Sequence, residues 1–160
     1  MKQKLLALVC ALALVVSLAG CVISTPDTVG SLGDYEISSG LYLLAQYDAY
    51  QKAADLASSD QDASDVKAFL KATITPEGED SITVSDYVTQ KTLENLETYA
   101  AIELRFDELG GQLTDEEEQQ ADSYAQQLMD QYGDTYKANG IGLETVQHFE
   151  RILLKSNDLM

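Results

Sequence analysis

Two stretches of about 25 residues, each opened by a capping threonine and closed by glycine, constrain this chain more than any other feature. Thr83 stands three residues before Asp86, and an apolar series follows through Val84, Tyr87, Val88, Leu96, Tyr99, Ala100, Ile102, Phe106 and Leu109 to Gly110-Gly111. Thr114 stands three residues before Glu117, and Ala121, Tyr124, Ala125, Leu128, Tyr132 and Tyr136 recur at helical steps up to Asn139-Gly140. A threonine that accepts a backbone N–H of the first turn, followed by a carboxylate that reaches back, is a helix start; glycine tolerates the left-handed conformation that ends one. Asp115, Glu116 and Glu118 add negative charge where the helix dipole is positive. Each helix would be roughly 35 to 40 Å long at 1.5 Å per residue.

The rest of the chain reads in the same terms. Ser38 or Ser39 caps a helix carrying Leu43, Tyr47, Tyr50 and Ala54 and ending near Ser58-Ser59. A shorter helical pattern between Asp62 and Ile74 runs through Val66, Phe69 and Leu70 and is closed by Pro76 and Gly78. Ile141 before Gly142, with Val146 placed for a hydrophobic staple, opens a last helix through Phe149, Ile152 and Leu153 to Lys155 or beyond. Only Val29 to Ile37 departs from helix, as a short hairpin around a Gly-Asp turn. The expected class is therefore all-α: about five helices, two of them long and antiparallel, with a short N-terminal β-hairpin.

The 160 residues are enough for one domain with a core, and 45% hydrophobic content argues that it folds. The 27 acidic residues against 10 basic ones give a net charge of -17, which repels phosphate backbones and argues against nucleic acid as a partner. One histidine and two cysteines leave almost nothing for zinc, thiol chemistry or a Ser/His/Asp triad.

The first residues read as an address. Lys2 and Lys4 precede an apolar run from Leu5 to Val16, too short for a stable membrane span, and Leu18-Ala19-Gly20-Cys21 resembles the bacterial lipobox. Residues 1–20 are then a lipoprotein signal peptide, Cys21 the lipidated N-terminus, 21–28 a tether, and 29–160 the helical domain. The alternative is an ordinary secretory peptide with a chance cysteine. Cleavage would remove Cys10, so no disulfide forms and packing alone stabilises the fold. It would also remove Lys2 and Lys4, leaving eight basic against 27 acidic residues, so the lipid rather than basic side chains holds the protein at the membrane. The implied location is the cell envelope, on the extracytoplasmic face. The end at Met160 has no helix terminator, so related chains are expected to continue.

Candidate chemistry is sparse. Asp60, Asp62 and Asp65 fail as a calcium loop, since its sixth and twelfth positions would be Asp65 and Lys71. Asp115 to Glu118 are explained by capping, so no metal and no cofactor is expected. His148 reads as a surface or interhelical histidine. No residue is assigned as catalytic. The nine tyrosines remain, and Tyr47, Tyr50, Tyr99, Tyr124 and Tyr132 are candidates to line a groove between long helices where apolar segments of other chains would bind. Because only Gly110 to Leu113 join the third and fourth helices, these two should pack as neighbours and leave a concave apolar patch rimmed by acidic residues.

The order of a lipobox, Leu32-Gly33-Asp34-Tyr35-Glu36-Ile37, a Tyr-rich helix, Glu108-Leu109-Gly110-Gly111-Gln112-Leu113-Thr114-Asp115-Glu116-Glu117 and Asn139-Gly140-Ile141 resembles the N-terminal chaperone region of the SurA/PrsA-type extracytoplasmic foldases. The resemblance spans Val29 to Leu154. It implies a helical module that binds unfolded or newly secreted polypeptides without ATP. Many members of that family add a parvulin-type prolyl isomerase domain; one histidine and the few residues after Leu154 do not supply it, so no isomerase activity is implied. The alternative is a surface lipoprotein whose helices dock to a folded partner.

Overall fold

The computed structural model describes residues 27–58 and 61–160. The expected signal peptide, Cys21 and most of the expected tether, with Ser59 and Asp60, lie outside the described residues. The fold is mostly α, with an N-terminal hairpin and five helices among the described residues.

Strands β1 (Thr28–Leu32) and β2 (Tyr35–Ser38) pair antiparallel, with an irregularity between Thr28 and Gly30. Gly33 makes the turn at a φ of 61°, which a side-chain-bearing residue adopts only with strain. Helix α1 (Ser39–Asp55) follows directly, its first turn capped by Ser38 Oγ, which accepts the Leu41 N–H at 3.1 Å. α2 is a single turn, Val66–Phe69, shorter than the sequence pattern suggests. The chain then turns extended, because Thr73–Ile74 (β3) pairs antiparallel with Ile82–Thr83 (β4) across the loop containing Pro76 and Gly78. Those two β-branched pairs gain a ladder there that a helix would deny them.

α3 (Val84–Glu108) and α4 (Asp115–Ala138) are the long helices, 25 and 24 residues. Thr83 caps the first by accepting the Asp86 N–H, and Thr114 with Glu117 forms the complete reciprocal box on the second. Both end alike. Gly110 and Gly140, at φ of 68° and 76°, turn the backbone so that the N–H groups of Gly111 and Ile141 reach the carbonyls of Phe106 and Tyr136, each at 2.9 Å. This six-to-one closure satisfies carbonyls that a helix end otherwise leaves open. α5 (Leu143–Asp158) starts at Gly142 without a side-chain cap, and buried Ile141 and Val146 pack in one cluster beside its first turn, as the staple requires.

α1 is the central element. Leu41, Ala45, Ala49 and Ala53, at steps of four, are fully buried, and the alanines let α3 approach closely. Near its C-terminus Ala49 and Ala53 meet Phe69, Ile74, Val84, Tyr87 and Val88; in its first half Leu41 and Ala45 meet Ile37, Leu96 and Ile152. On another side Leu44 joins Ala125, Ile141 and Val146. α1 and α3 therefore run antiparallel. So do α4 and α5, since Val146 packs near Ala125 while Arg151 reaches back to Glu118 and, at 2.8 Å, to Asp122.

One expectation is corrected. α3 and α4 do not pack along one another; α3 lies against α1, α4 against α5, and α5 touches both α1 and α3. The reason is complementarity of size. α3 buries Tyr87 and Leu96, which fit over the alanine stripe of α1, whereas α4 buries only Ala121, Ala125 and Gly133 and matches the larger side chains of α5.

Candidate functional site

The five tyrosines singled out from the sequence fall in different places. Tyr50 packs edge-on against Phe69, with ring centroids 5.6 Å apart, and its hydroxyl donates to the Ala63 carbonyl at 2.6 Å. It ties the α2 segment to α1. Tyr99 stands edge-on to Phe149 at 5.4 Å, and burial, then the charge of Asp48, pushes its phenol up to about 12. Both rings serve the interior of the fold. Tyr47 meets the ring of Tyr136 edge-on at 5.8 Å, and Tyr132 meets the same ring at 6.2 Å. Tyr124 and Tyr132 stand out from α4 into solvent, 46% and 45% exposed.

The structure thus brings Tyr47 and Tyr132 together through Tyr136, leaves Tyr124 two turns along the same helix, and keeps Tyr50 and Tyr99 apart in separate clusters. Tyr136 is the hub that the candidate set omitted. Its signal was present: Tyr124, Leu128, Tyr132 and Tyr136 recur every four residues, and such a series forms one slowly drifting stripe along a helix. Around that stripe α4 carries Asp130 and Asp134 besides its acidic first turn, against one basic residue, Lys137. The surface offered is aromatic, amide-rich and negative.

A second constellation joins the hairpin, α3 and α5. Glu103 of α3 is only 7% exposed; Lys155 Nζ lies 2.6 Å from its Oε2, and His148 Nε2 lies 3.4 Å from its Oε1. Tyr35 Oη is 3.3 Å from the same His148 Nε2. Lys155 also sits 5.5 Å above the ring of Phe106. Burial pulls the Glu103 carboxyl upward, but the hydrogen-bonding reach and charge of His148 and Lys155 outweigh it and hold the group below its ordinary value. Burial, then the Glu103 charge, raises the Tyr35 phenol to about 12.

This geometry is not that of a proton relay. A relay needs a carboxylate on one ring nitrogen and a hydroxyl on the other, whereas Glu103 and Tyr35 converge on the same Nε2. The cluster binds three elements together, which is the interhelical role read for His148. Glu103 was detectable too, because it falls in phase with buried Leu96, Ala100 and Phe106, where a carboxylate must find a partner.

A cleft of about 480 Å³ opens between the first turns of α1 and α5, lined by Asp27, Ser38, Gly40, Glu144, Thr145 and His148 among others. Leu43 is its one large apolar side chain, so it is not the apolar groove expected between long helices. Among the described residues, no group of three or more His, Cys, Asp or Glu side chains is placed to hold a metal, and no helix is long and apolar enough to cross a membrane. No protein-family model, curated protein or solved structure matches the chain.

Proposed function

We propose that this protein is an extracytoplasmic, lipid-anchored binding module that holds unfolded or newly secreted polypeptides near the membrane without ATP and without a chemical step of its own. The observation that carries the reading is the exposure of Tyr124 and Tyr132 on a long acidic helix. Aromatic rings left in solvent are adaptable contact area for another chain, and fixed negative charge around them keeps such a surface soluble. The lipobox ending at Cys21 and the resemblance to the chaperone region of SurA/PrsA-type foldases support the same reading.

Two measurements test it. With Cys21→Ala, incorporation of labelled fatty acid should fall to background and the signal peptide should remain uncleaved by the lipoprotein peptidase; lipid labelling of that variant would refute the anchor. The full chain should bind a reduced, alkylated, permanently unfolded protein and ignore the native form of the same protein. A second reading, docking to a folded partner, is favoured by the placement of both exposed rings on one helix, since a helix face suits a preformed groove. It predicts the opposite result, with no affinity for unfolded chains and one partner recovered at fixed stoichiometry.

A further inference from the structure

Among the described residues, two ring contacts join tyrosine to tyrosine, and both run through Tyr136. The other paired tyrosines meet phenylalanine or histidine: Tyr50 with Phe69, Tyr99 with Phe149 and Tyr35 with His148. The sequence has nine tyrosines and no tryptophan, and these are the two aromatic side chains that most readily give up a single electron. A one-electron oxidant therefore acts on the tyrosines here. With residues 1–20 removed and Cys21 alkylated by lipid, no free thiol is left to quench the radical that forms. Tyr132, 45% exposed, meets such an oxidant directly.

Its neighbour is placed to couple with it. Tyr132 and Tyr136 are one turn apart on α4, with centroids 6.2 Å apart and rings inclined at 45°, so a small side-chain rotation brings their edges together. Exposed side chains make such rotations in picoseconds to nanoseconds. Tyr47 meets Tyr136 at 90°, an edge against a face, which steadies Tyr136 but presents the wrong geometry for joining two edges. We propose that Tyr132 and Tyr136 form an oxidative cross-linking site, whose reactant is hydrogen peroxide acting through a haem peroxidase. Each phenol gives one electron and its hydroxyl proton; the two radicals join through the ring carbons beside the hydroxyls, and the hydrogens on those carbons move to the oxygens. The peroxide takes up the two electrons and two protons and becomes two waters. The product is a carbon–carbon staple across one turn of α4, which fixes Tyr132 against Tyr136. Oxidation then weakens the capture of unfolded chains, a consequence that rests on the polypeptide-binding reading above, whereas the cross-link does not.

The test treats the membrane-purified chain, in neutral phosphatidylcholine vesicles, with hydrogen peroxide and a haem peroxidase. A ring one helical turn away is at an effective concentration in about the millimolar range, so at about 1 μM protein the coupling should stay within one chain. Dityrosine fluorescence should appear in the monomer band, and the tryptic peptide 106–137, which contains both rings, should become two hydrogens lighter. Tyr132→Phe and Tyr136→Phe keep the rings and the fold, and each should lower the yield about tenfold. Tyr124→Phe should leave it unchanged. A wild-type yield no higher than that of Tyr132→Phe, dityrosine confined to dimers, or peptide 106–137 joined to the one ending at Lys52, which carries Tyr47, overturns the site. The cross-linked monomer should bind a reduced, alkylated, unfolded protein more weakly than the untreated chain does. Equal binding by the two overturns the effect of oxidation and leaves the cross-linking site standing; no binding before oxidation overturns the polypeptide-binding reading instead.

Discussion

Replacing Lys155 by Met should destabilise the fold by about 3 kcal/mol at neutral pH, lowering the melting temperature by about 10 °C. Lys155 is the closest countercharge to Glu103, whose carboxylate is buried, and Met keeps the aliphatic packing over Phe106 while removing the charge. What remains is a buried carboxylate facing only His148. The sign of the pH dependence follows from the depressed Glu103 value. In the wild type, a carboxyl held below its unfolded value contributes stability that is complete above the ordinary carboxylate range and is lost as pH falls through the depressed value. In Lys155→Met burial is less opposed, so the carboxyl moves up and protonation relieves the variant. The gap between the two proteins should therefore be widest near neutrality and narrow on acidification. Replacing both Lys155 and Glu103 by Met should recover most of the loss, since a matched apolar pair has no charge to desolvate. Thermal melts of the three variants across pH check this; a gap independent of pH would contradict it.

The second large effect is expected at Gly40. A Cβ there would lie 1.9 Å from Thr145 Oγ1, and rotating the threonine side chain moves the hydroxyl but leaves Thr145 Cβ at 3.1 Å, still tighter than an ordinary contact. α1 and α5 would have to separate at their first turns. Alanine gains a little helix propensity over glycine, but overpacking of this severity outweighs it, and Gly40→Ala should cost about 2 kcal/mol net. Adding Thr145→Ala removes the two outer atoms and should restore most of the stability. Denaturant midpoints of the single and double variants measure the coupling; additive losses would mean that the two positions do not touch.

Element type was legible wherever the signals were local. The capping threonines at 83 and 114, the glycines at 110 and 140 and the Ile141–Val146 staple act within a few residues, and the structure uses each as read. What sequence reasoning missed depends on partners far along the chain. The buried face of α1 is Leu41, Leu44, Ala45, Ala49 and Ala53, rotated from the large residues Leu43, Tyr47 and Tyr50 that first draw the eye. Alanine carries little hydrophobic weight by itself; it matters here because α3 needs the room. Thr73 and Ile74 looked like the tail of a helix until Ile82 and Thr83 supplied a strand for them. Joining α3 to α4 by a short link suggested that they pair, yet the link fixes only proximity of their ends. At the candidate site the four-residue tyrosine step on α4 was readable, while the meeting of Tyr136 with Tyr47 was not, since it joins two helices far apart in the chain.

The central claim is that the rings standing out from α4 engage non-native chains, and suppression of aggregation tests it most directly. The wild-type chain at modest molar excess should hold down the light scattering of a chemically denatured protein diluted into buffer. The variant carrying both Tyr124→Ala and Tyr132→Ala should lose most of that protection while melting within a few degrees of wild type, because exposed rings contribute little to the fold. No suppression by the wild type, or equal suppression by the double variant, would contradict the account.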